Sequence, residues 1–427
     1  MNVADSQHVA SALDQMGYRP TPVPDDADVI VLNTCVVRQS AEDKAYGRLS
    51  SLRKLKLQRP DMVICLMGCL VGVRDNPKLR QRFPYVDVFA PPSDPSSLIE
   101  FLGQHEGHVV EEAEMAARFA LMDGDEPFVS QSQRRNVAAN VSIVLGCSHA
   151  CTYCVIPYRR GPERSRAPQE IFDEVKALVS QGAREVTLLG QIVDRYGKDN
   201  PEWPNLTGLI RQIHEIDGLE RIRFLTSHPN WMTDELMDTV AELPKVMPHI
   251  EVPAQAGDDE VLANMRRGYT AQEYRTLIGR IRERIPGVSI GTDIIVGFPG
   301  ETEAQFQRTY DMLAELRLDV VHLARYSPRP QTVSARTMED DVPPEEKWRR
   351  FRLIEELQAK IVGEIHAGYV GRTVPVLFEE QVKGRWKGRT PTNKLVFAEA
   401  ADDLRGSIKQ VAVTRAGAWS MNGNIAG

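Results

Sequence analysis

The chain has 427 residues, 42% of them hydrophobic and 26% charged, with a formal net charge of −7. That is the balance of a folded globular protein with room for two or three domains, and the acidic sign argues against a generic nucleic-acid coat while leaving room for a local basic patch that binds RNA. No stretch approaches the roughly 20 apolar residues of a membrane span, and the start Met1-Asn2-Val3-Ala4-Asp5 lacks a basic-then-apolar secretion signal, so a cytoplasmic protein with no membrane partner is expected.

Residues 1–90 have an α/β pattern. The apolar run Val29-Ile30-Val31-Leu32 reads as a buried strand, residues 40–57 as a helix with Leu49, Leu52 and Leu55 inside, and residues 62–67 as a second strand. Strand, helix, strand is a βαβ unit with parallel strands. Cys35 follows the first strand and Cys69 the second, so both thiols fall on one sheet edge and are placed to converge. The stretch Pro91-Pro92-Ser93-Asp94-Pro95 breaks the pattern, and residues 124–140 read as a polar interdomain loop.

A strand-then-helix rhythm follows, with strands expected at 141–145, 185–189, 221–225, 247–252, 289–296 and 320–325. Six such units predict a partial (β/α)6 barrel of parallel strands, whose functional residues gather at the C-terminal strand ends. Cys147, Gln191, Ser227, His228, Gln255, Asp293, Gly297 and Tyr326 occupy those positions. Residues 344–366 read as a charged helix, and the short apolar runs beyond Gly368 as a small β-barrel. The expected division is 1–100, a linker at 101–140, the barrel at 141–366 and the C-terminal module at 367–427.

Six cysteines are present, Cys35, Cys65, Cys69, Cys147, Cys151 and Cys154. Three disulfides are one reading; in a long chain without a secretion signal, clustered cysteines more often bind metal or do chemistry. Cys147, Cys151 and Cys154 have the spacing C-x3-C-x2-C on a loop directly after a strand. Three thiolates hold three irons of a [4Fe–4S] cluster and leave the fourth open to a small molecule. The rival is a zinc site that adds His149.

This motif, with Tyr153 before its last cysteine, resembles the radical S-adenosylmethionine (radical-SAM) superfamily. The following Val155-Ile156-Pro157-Tyr158-Arg159-Arg160-Gly161-Pro162-Glu163-Arg164-Ser165-Arg166 is similar to the methylthiotransferase branch of it, as are the blocks at 188–191, 226–229, 253–258, 265–270, 292–302 and 326–330. The resemblance implies an enzyme that adds a methylthio group to ring carbon 2 of an isopentenylated adenosine beside the tRNA anticodon. Relatives that act on threonylcarbamoyl-adenosine or on a ribosomal protein remain alternatives, as does a catalytically silent cluster-containing RNA-binding protein. It implies a flavodoxin-like N-terminal domain, a radical-SAM barrel and a C-terminal TRAM barrel.

It further implies two [4Fe–4S] clusters and two S-adenosylmethionine molecules. One cluster uses Cys147, Cys151 and Cys154; the auxiliary, sulfur-supplying one uses Cys35 and Cys69. Gln191, Ser227, Asp293 and Tyr326 are expected to contact S-adenosylmethionine or substrate. An electron donor is implied as a partner, and the protein is expected to be a monomer.

The family's auxiliary cluster takes a third cysteine from a Cys-Gln-Met-Asn motif after an initial strand, and this chain starts at Met1-Asn2. The expectation is that the first strand and ligand are absent from this chain because the protein extends upstream. A true truncation is the alternative, with Cys65 as a substitute ligand or, the preferred reading, a buried small hydrophobe. Ile192 stands where the family carries Asn. Between Gly368 and Gly427 there are 9 Lys or Arg against 5 Asp or Glu, and the turn containing Arg385, Trp386, Arg389 and Asn393 is expected to hold the tRNA anticodon stem-loop through phosphate contacts and base stacking.

Overall fold

In the computed structural model, residues 1–74, 76–105 and 136–426 are described. Strands β1 (Val29–Thr34), β2 (Val63–Gly68) and β3 (Val88–Ala90) form a parallel sheet in that order. Both faces are covered, as a parallel sheet with helical crossovers requires. Helix α2 (Gln39–Gln58) lays Ala45, Leu49 and Leu52 on one face beside Ile64 and Leu66. Helices α1 (Asn2–Gln15) and α4 (Ser96–His105) bring Val9, Leu98 and Leu102 to the other, against Cys65, Met67 and Val88. A short helix, α3 (Pro77–Arg82), starts with the Asn76 side chain accepting from the Leu79 N–H.

Alternation along β2 therefore puts Cys65 on the α1 side and Leu66 on the α2 side. Cys65 is fully buried in the apolar cluster there, while Cys69 packs into the α2 cluster. That placement excludes Cys65 as a substitute ligand beside Cys69. The break expected after Pro91 is brief, because α4 starts at Ser96. Most of the loop expected at 124–140 lies outside the described residues, and its end is already strand β4 (Ala138–Ser142).

The centre of the chain is an α/β partial barrel. Strand β4 pairs with β7 (Glu185–Leu189) and β7 with β8 (Arg221–Leu225); β9 (His249–Glu251), β10 (Ser289–Val296) and β11 (Val320–Arg325) form the other half, all parallel. The halves meet where the Met247 N–H donates to Ile222 O (2.9 Å) and the Ser227 N–H to Glu251 O (3.0 Å). The first expected strand, 141–145, is interrupted at Ile143: β5 (Val144–Leu145) turns away to pair antiparallel with β6 (Arg164–Ser165). This two-stranded clasp closes the base of the cysteine loop. Capping boxes at Thr270 and Thr302 start two of the outer helices.

The helix Pro344–Ala367 leads into a closed barrel of β12 (Thr373–Val382), β13 (Arg385–Arg389), β14 (Leu395–Glu399), β15 (Ile408–Ala416) and β16 (Met421–Ile425), in the order β12-β13-β14-β16-β15. Trp386 is 5% exposed in its core with Phe378, Val396 and Met421, and its indole N–H donates to Asp402 O (3.1 Å). This corrects the expectation that Trp386 stacks on bases: β13 alternates, with Arg385 and Lys387 outward and Trp386 and Gly388 inward.

The turn after β13 is also committed to contacts inside the protein. Arg223 donates to Thr390 O (2.9 Å) and Pro391 O (2.8 Å) while its Nε pairs with Glu185 (2.9 Å), and Arg221 donates to Arg389 O (2.7 Å). Asn393 meets His249 (3.3 Å), and the buried Lys394 ion-pairs with Asp319. The Arg389 side chain pairs with Glu379 (3.4 Å) and the Asn393 side chain (3.2 Å). Of the four residues expected on tRNA, only Arg385 is exposed, lying 4.9 Å from the Phe397 ring centre. The docked turn lies at the N-terminal ends of the barrel strands, the edge opposite the cysteine loop. No helix among the described residues is long and apolar enough to cross a membrane.

Arg223 and Glu185 are each at most 5% exposed in their side chains. Arg223→Ala leaves Glu185 and two carbonyls without this partner, so it should cost about 3–5 kcal/mol. Chemical denaturation and limited proteolysis at 390–394 read this; unchanged stability would show that the C-terminal barrel is not docked as described.

Candidate metal centre

Gly146 starts the cysteine loop at φ 69°, and a Cβ there would lie 2.0 Å from Pro162 O. Only glycine lets the two arms of the loop close so tightly. The Cys147 N–H then donates to Gly161 O (3.1 Å) and the Cys154 N–H to Cys151 O (3.2 Å). Thr152 anchors the tip through its N–H to Met265 O (3.2 Å) and its hydroxyl to Asn264 O (2.8 Å). The three thiols thus share one loop above the C-terminal strand ends. Cys147 is buried against Ile156 and Ile192, with Cys154 and Trp231 packed beside them. Ile192, at a position where the resemblance led to an expectation of Asn, gives that wall an apolar surface.

The three thiols have different environments. Burial pushes Cys147 up to about 11 and Cys154 to about 12. Burial also pushes Cys151 up, but the His149 ring at 3.3 Å and the Arg267 guanidinium at 3.2 Å outweigh it and bring that thiol down to about 7. Arg267 is itself buried, held by Tyr269 Oη (2.9 Å) and Pro253 O (3.1 Å). His149 lies against His228, the rings tilted by 35° with centres 4.6 Å apart. Burial, then Arg267 and His149, hold His228 down to about 2, so it is neutral.

Several buried polar atoms around this loop have no protein partner: Ser227 Oγ, His228 Nε2 and Trp231 Nε1. Thr226 and Gln255, each just past a barrel strand, have φ of 73° without being glycine. Unmatched donors and strained strand ends together mark a ligand-facing surface. No three His, Cys, Asp or Glu side chains among the described residues are grouped to hold a single ion. Thiolates of an iron–sulfur cluster each bind a different iron, so the loop suits a cluster better than one zinc ion.

Of the other expected contacts, Gln191 faces the N-terminal helix, its Nε2 2.9 Å from Met1 Sδ. Asp293 lies on β10 at the barrel interior, its carboxyl pushed up by burial. Near it His322 meets Glu251 at 3.2 Å, and Arg38, three residues past Cys35, is within electrostatic reach. Tyr326 does not join this set. It is 6% exposed, its hydroxyl donates to Ser334 (3.0 Å), and its ring packs on Phe298. It is a core residue, which corrects the expectation.

Cys35 and Cys69 lie close enough to perturb each other. Gly68, at φ 96°, allows this: a Cβ would meet Asn33 Oδ1 at 2.5 Å and Thr34 O at 2.6 Å. Burial pushes the Cys69 thiol up, opposed by a hydrogen bond and charge from Arg160. Arg160 ends helix α5 (Ile156–Arg160), just after Cys154. It also reaches Asp5 (2.7 Å), Asn2 (2.8 Å) and Ser93 (3.0 Å). Arg160, Arg267 and Trp231 escaped the reading of the sequence; the first two fall inside motif blocks, but Asp5 and Cys151, which they reach, lie 155 and 116 residues away in the chain.

The Radical SAM superfamily matches residues 141–313 and the Uncharacterized protein family UPF0004 residues 1–91. A tRNA-2-methylthio-N(6)-dimethylallyladenosine synthase of Roseiflexus sp. (strain RS-1) is 46% identical over 430 residues, covering 100% of this chain and 87% of the relative. One of the same name from Dehalococcoides mccartyi (strain CBDB1) is 44% identical, covering 100% of this chain and 96% of the relative. Among solved structures, the radical S-adenosylmethionine methyltransferase TsrM from Kitasatospora setae, with cobalamin and a [4Fe-4S] cluster bound, superposes with a TM-score of 0.56 at 15% identity, covering 90% of this chain and 77% of that one. That likeness is one of fold.

A thiol at about 7 populates its reactive thiolate above that pH. In metal-free protein, iodoacetamide should label Cys151 with a midpoint near pH 7, and Cys147 and Cys154 only at much higher pH. His149→Phe should move the Cys151 midpoint upward. Peptide mass spectrometry across a pH series reads both, and three coincident midpoints would contradict the assignment.

Proposed function

The chain belongs to the family of tRNA-2-methylthio-N(6)-dimethylallyladenosine synthases, and we propose from that premise that it is a radical-SAM enzyme adding a methylthio group to ring carbon 2 of N6-isopentenyladenosine next to the tRNA anticodon. The observation that carries this is the full-length identity of 41–46% to relatives of that name, over a chain whose two cysteine groups sit on strand-end loops joined by Arg160. Cys147, Cys151 and Cys154 would hold a [4Fe–4S] cluster, which would supply the electron for reductive cleavage of S-adenosylmethionine, and Cys35 and Cys69 would be among the ligands of a second cluster, which would supply the sulfur. A carbon–hydrogen bond of an aromatic ring is unactivated, which is why the chemistry calls for so strong a hydrogen abstractor.

The side chains divide the remaining work. Arg267 and His149 hold Cys151 as a thiolate, the form that binds iron. Ile156, Ile192 and Trp231 keep water from the Cys147 side, which protects a radical from quenching. Ser227 Oγ and His228 Nε2, buried and unmatched, are available to S-adenosylmethionine. Asp293, Glu251 and His322 offer the barrel interior polar contacts for the adenosine. Gln191 is a weaker candidate, since its amide is turned to Met1.

The finer assignments rest on the same family. The N-terminal sheet serves as a flavodoxin-like domain over about residues 1–100, the barrel occupies 141–366, and the five-stranded C-terminal module over 367–427 is a TRAM domain. An external electron donor reduces the enzyme, which works as a monomer in the cytoplasm where tRNA is found.

Nucleoside mass spectrometry of tRNA from a strain lacking the gene tests the reading. The methylthio group should vanish while isopentenyladenosine accumulates; unchanged tRNA would refute the substrate. Independently, Cys151→Ala should abolish 5′-deoxyadenosine formation in reconstituted protein. Undiminished formation would remove the radical cluster from this loop.

A further inference from the structure

The C-terminal module was expected to supply the cations for tRNA, yet Lys387, Arg389 and Lys394 are paired with Glu380, Glu379 and Asp319. A second and denser concentration of positive charge lies elsewhere, although Lys56 and Arg59 within it pair with Asp87 and Asp28. Residues 39–82 hold ten Lys or Arg against four Asp or Glu, a local net charge of +6 in a chain whose total is −7. Eight of the ten cations lie on α2 or α3, and the other two, Arg59 and Arg74, close to their ends.

The exposed face of α2 meets the end of α3 in a groove of about 450 Å3 lined by Tyr46, Arg53, Lys54, Leu57, Arg82 and Tyr85. Arg53 and Lys54 are exposed and make no ion pair among the described residues. The Arg82 guanidinium lies over the Tyr46 ring at 4.2 Å, and Tyr46 stacks on Phe83 at 5.8 Å. A stacked guanidinium keeps its N–H fork turned outward, the geometry that grips phosphate bidentately. Leu57, 74% exposed, adds an apolar edge.

The groove is continuous with the chemistry. Arg159 on α5, five residues past Cys154, reaches Tyr46 electrostatically, and its Nε is buried without a partner. A line of cations thus runs from Arg53 and Lys54 through Arg82 to Arg159 at the rim of the cysteine loop. Glu42, the acid nearest this line, is neutralised by its ion pair with Arg329.

We propose that the groove between α2 and α3 is a tRNA-binding surface that takes the phosphate backbone flanking the modified adenosine, with Arg53, Lys54 and Arg82 as its phosphate contacts. This rests on the function proposed above and adds a second face to the substrate site. An acidic electron-transfer protein is the rival occupant. The stacked Arg82–Tyr46 pair and the path to the rim favour a polyanion whose base must enter the barrel, because its neighbouring phosphates have to cross that rim.

The test measures binding of an in vitro tRNA transcript to the reconstituted holoenzyme across a potassium chloride series. Arg53→Glu/Lys54→Glu should weaken binding about tenfold or more and make the log K against log salt slope shallower by about 1.4–1.8, since each phosphate contact contributes roughly 0.7–0.9. Arg82→Glu, on a different helix, should do the same by about half as much in slope. The charge-preserving Arg53→Lys/Lys54→Arg should bind as the parent does. Unchanged affinity and slope in both reversal variants overturns the proposal, as does unchanged tRNA binding with slowed reduction by an acidic electron-transfer protein. If the parent enzyme itself shows no salt-dependent tRNA binding, the tRNA function falls and takes the groove with it.

Discussion

One guanidinium holds the two cysteine-bearing parts of the molecule together. Arg160 lies at the end of the cysteine loop and pairs with Asp5 at 2.7 Å, both side chains at most 3% exposed. The same group reaches Asn2, Ser93 and Cys69. A buried ion pair adds little net stability over an apolar contact, but removing one partner leaves an uncompensated charge. The pair therefore specifies one arrangement of the N-terminal sheet on the barrel. Cys69 and Cys154 sit at either end of that arrangement, so their separation is set by a contact that cannot be half made.

Around this fixed point the loops are built by backbone exclusion. Gly68 and Gly146 occupy positive φ where a Cβ would strike main-chain oxygens at 2.6 Å and 2.0 Å, and the β5–β6 clasp closes the cysteine loop at its base. Rigid loops leave electrostatics to differentiate the thiols. Arg267 and the His149 ring act most strongly on Cys151, while burial dominates at Cys147 and Cys154. The barrel interior beneath them holds Glu251 and His322 as a pair beside Asp293, a polar chamber under an apolar rim.

The parts legible in the sequence are those written in local pattern. Strands at 185–189, 221–225, 289–296 and 320–325 announce themselves as apolar runs, and the cysteine spacing places three thiols on one turn. Helix α1 escaped because its apolar residues Ala4, Val9 and Ala12 are small and sparse. Trp386 was misread because a run of Arg, Trp, Lys, Gly and Arg suggests a basic turn. Period-two alternation, a signal that was present, puts the indole inside. Lys394 could not have been placed: its partner Asp319 is 75 residues away, and nothing local distinguishes a latch lysine from a phosphate-binding one. Tyr326 sits at a strand end like a ligand contact, but its hydroxyl turns to Ser334 on the following helix, a direction no spacing reports.

The docking of the C-terminal barrel has a mechanical consequence. It is clamped to the starting edge of the strands by Arg221, Arg223 and Lys394, while the cysteines occupy the finishing edge. A five-residue strand such as β8 separates those edges by about 17 Å. For an RNA that touches both ends, the protein then works as a calliper. The distance between its two ends is then fixed by the length of the barrel strands and not by any hinge between the clamped parts.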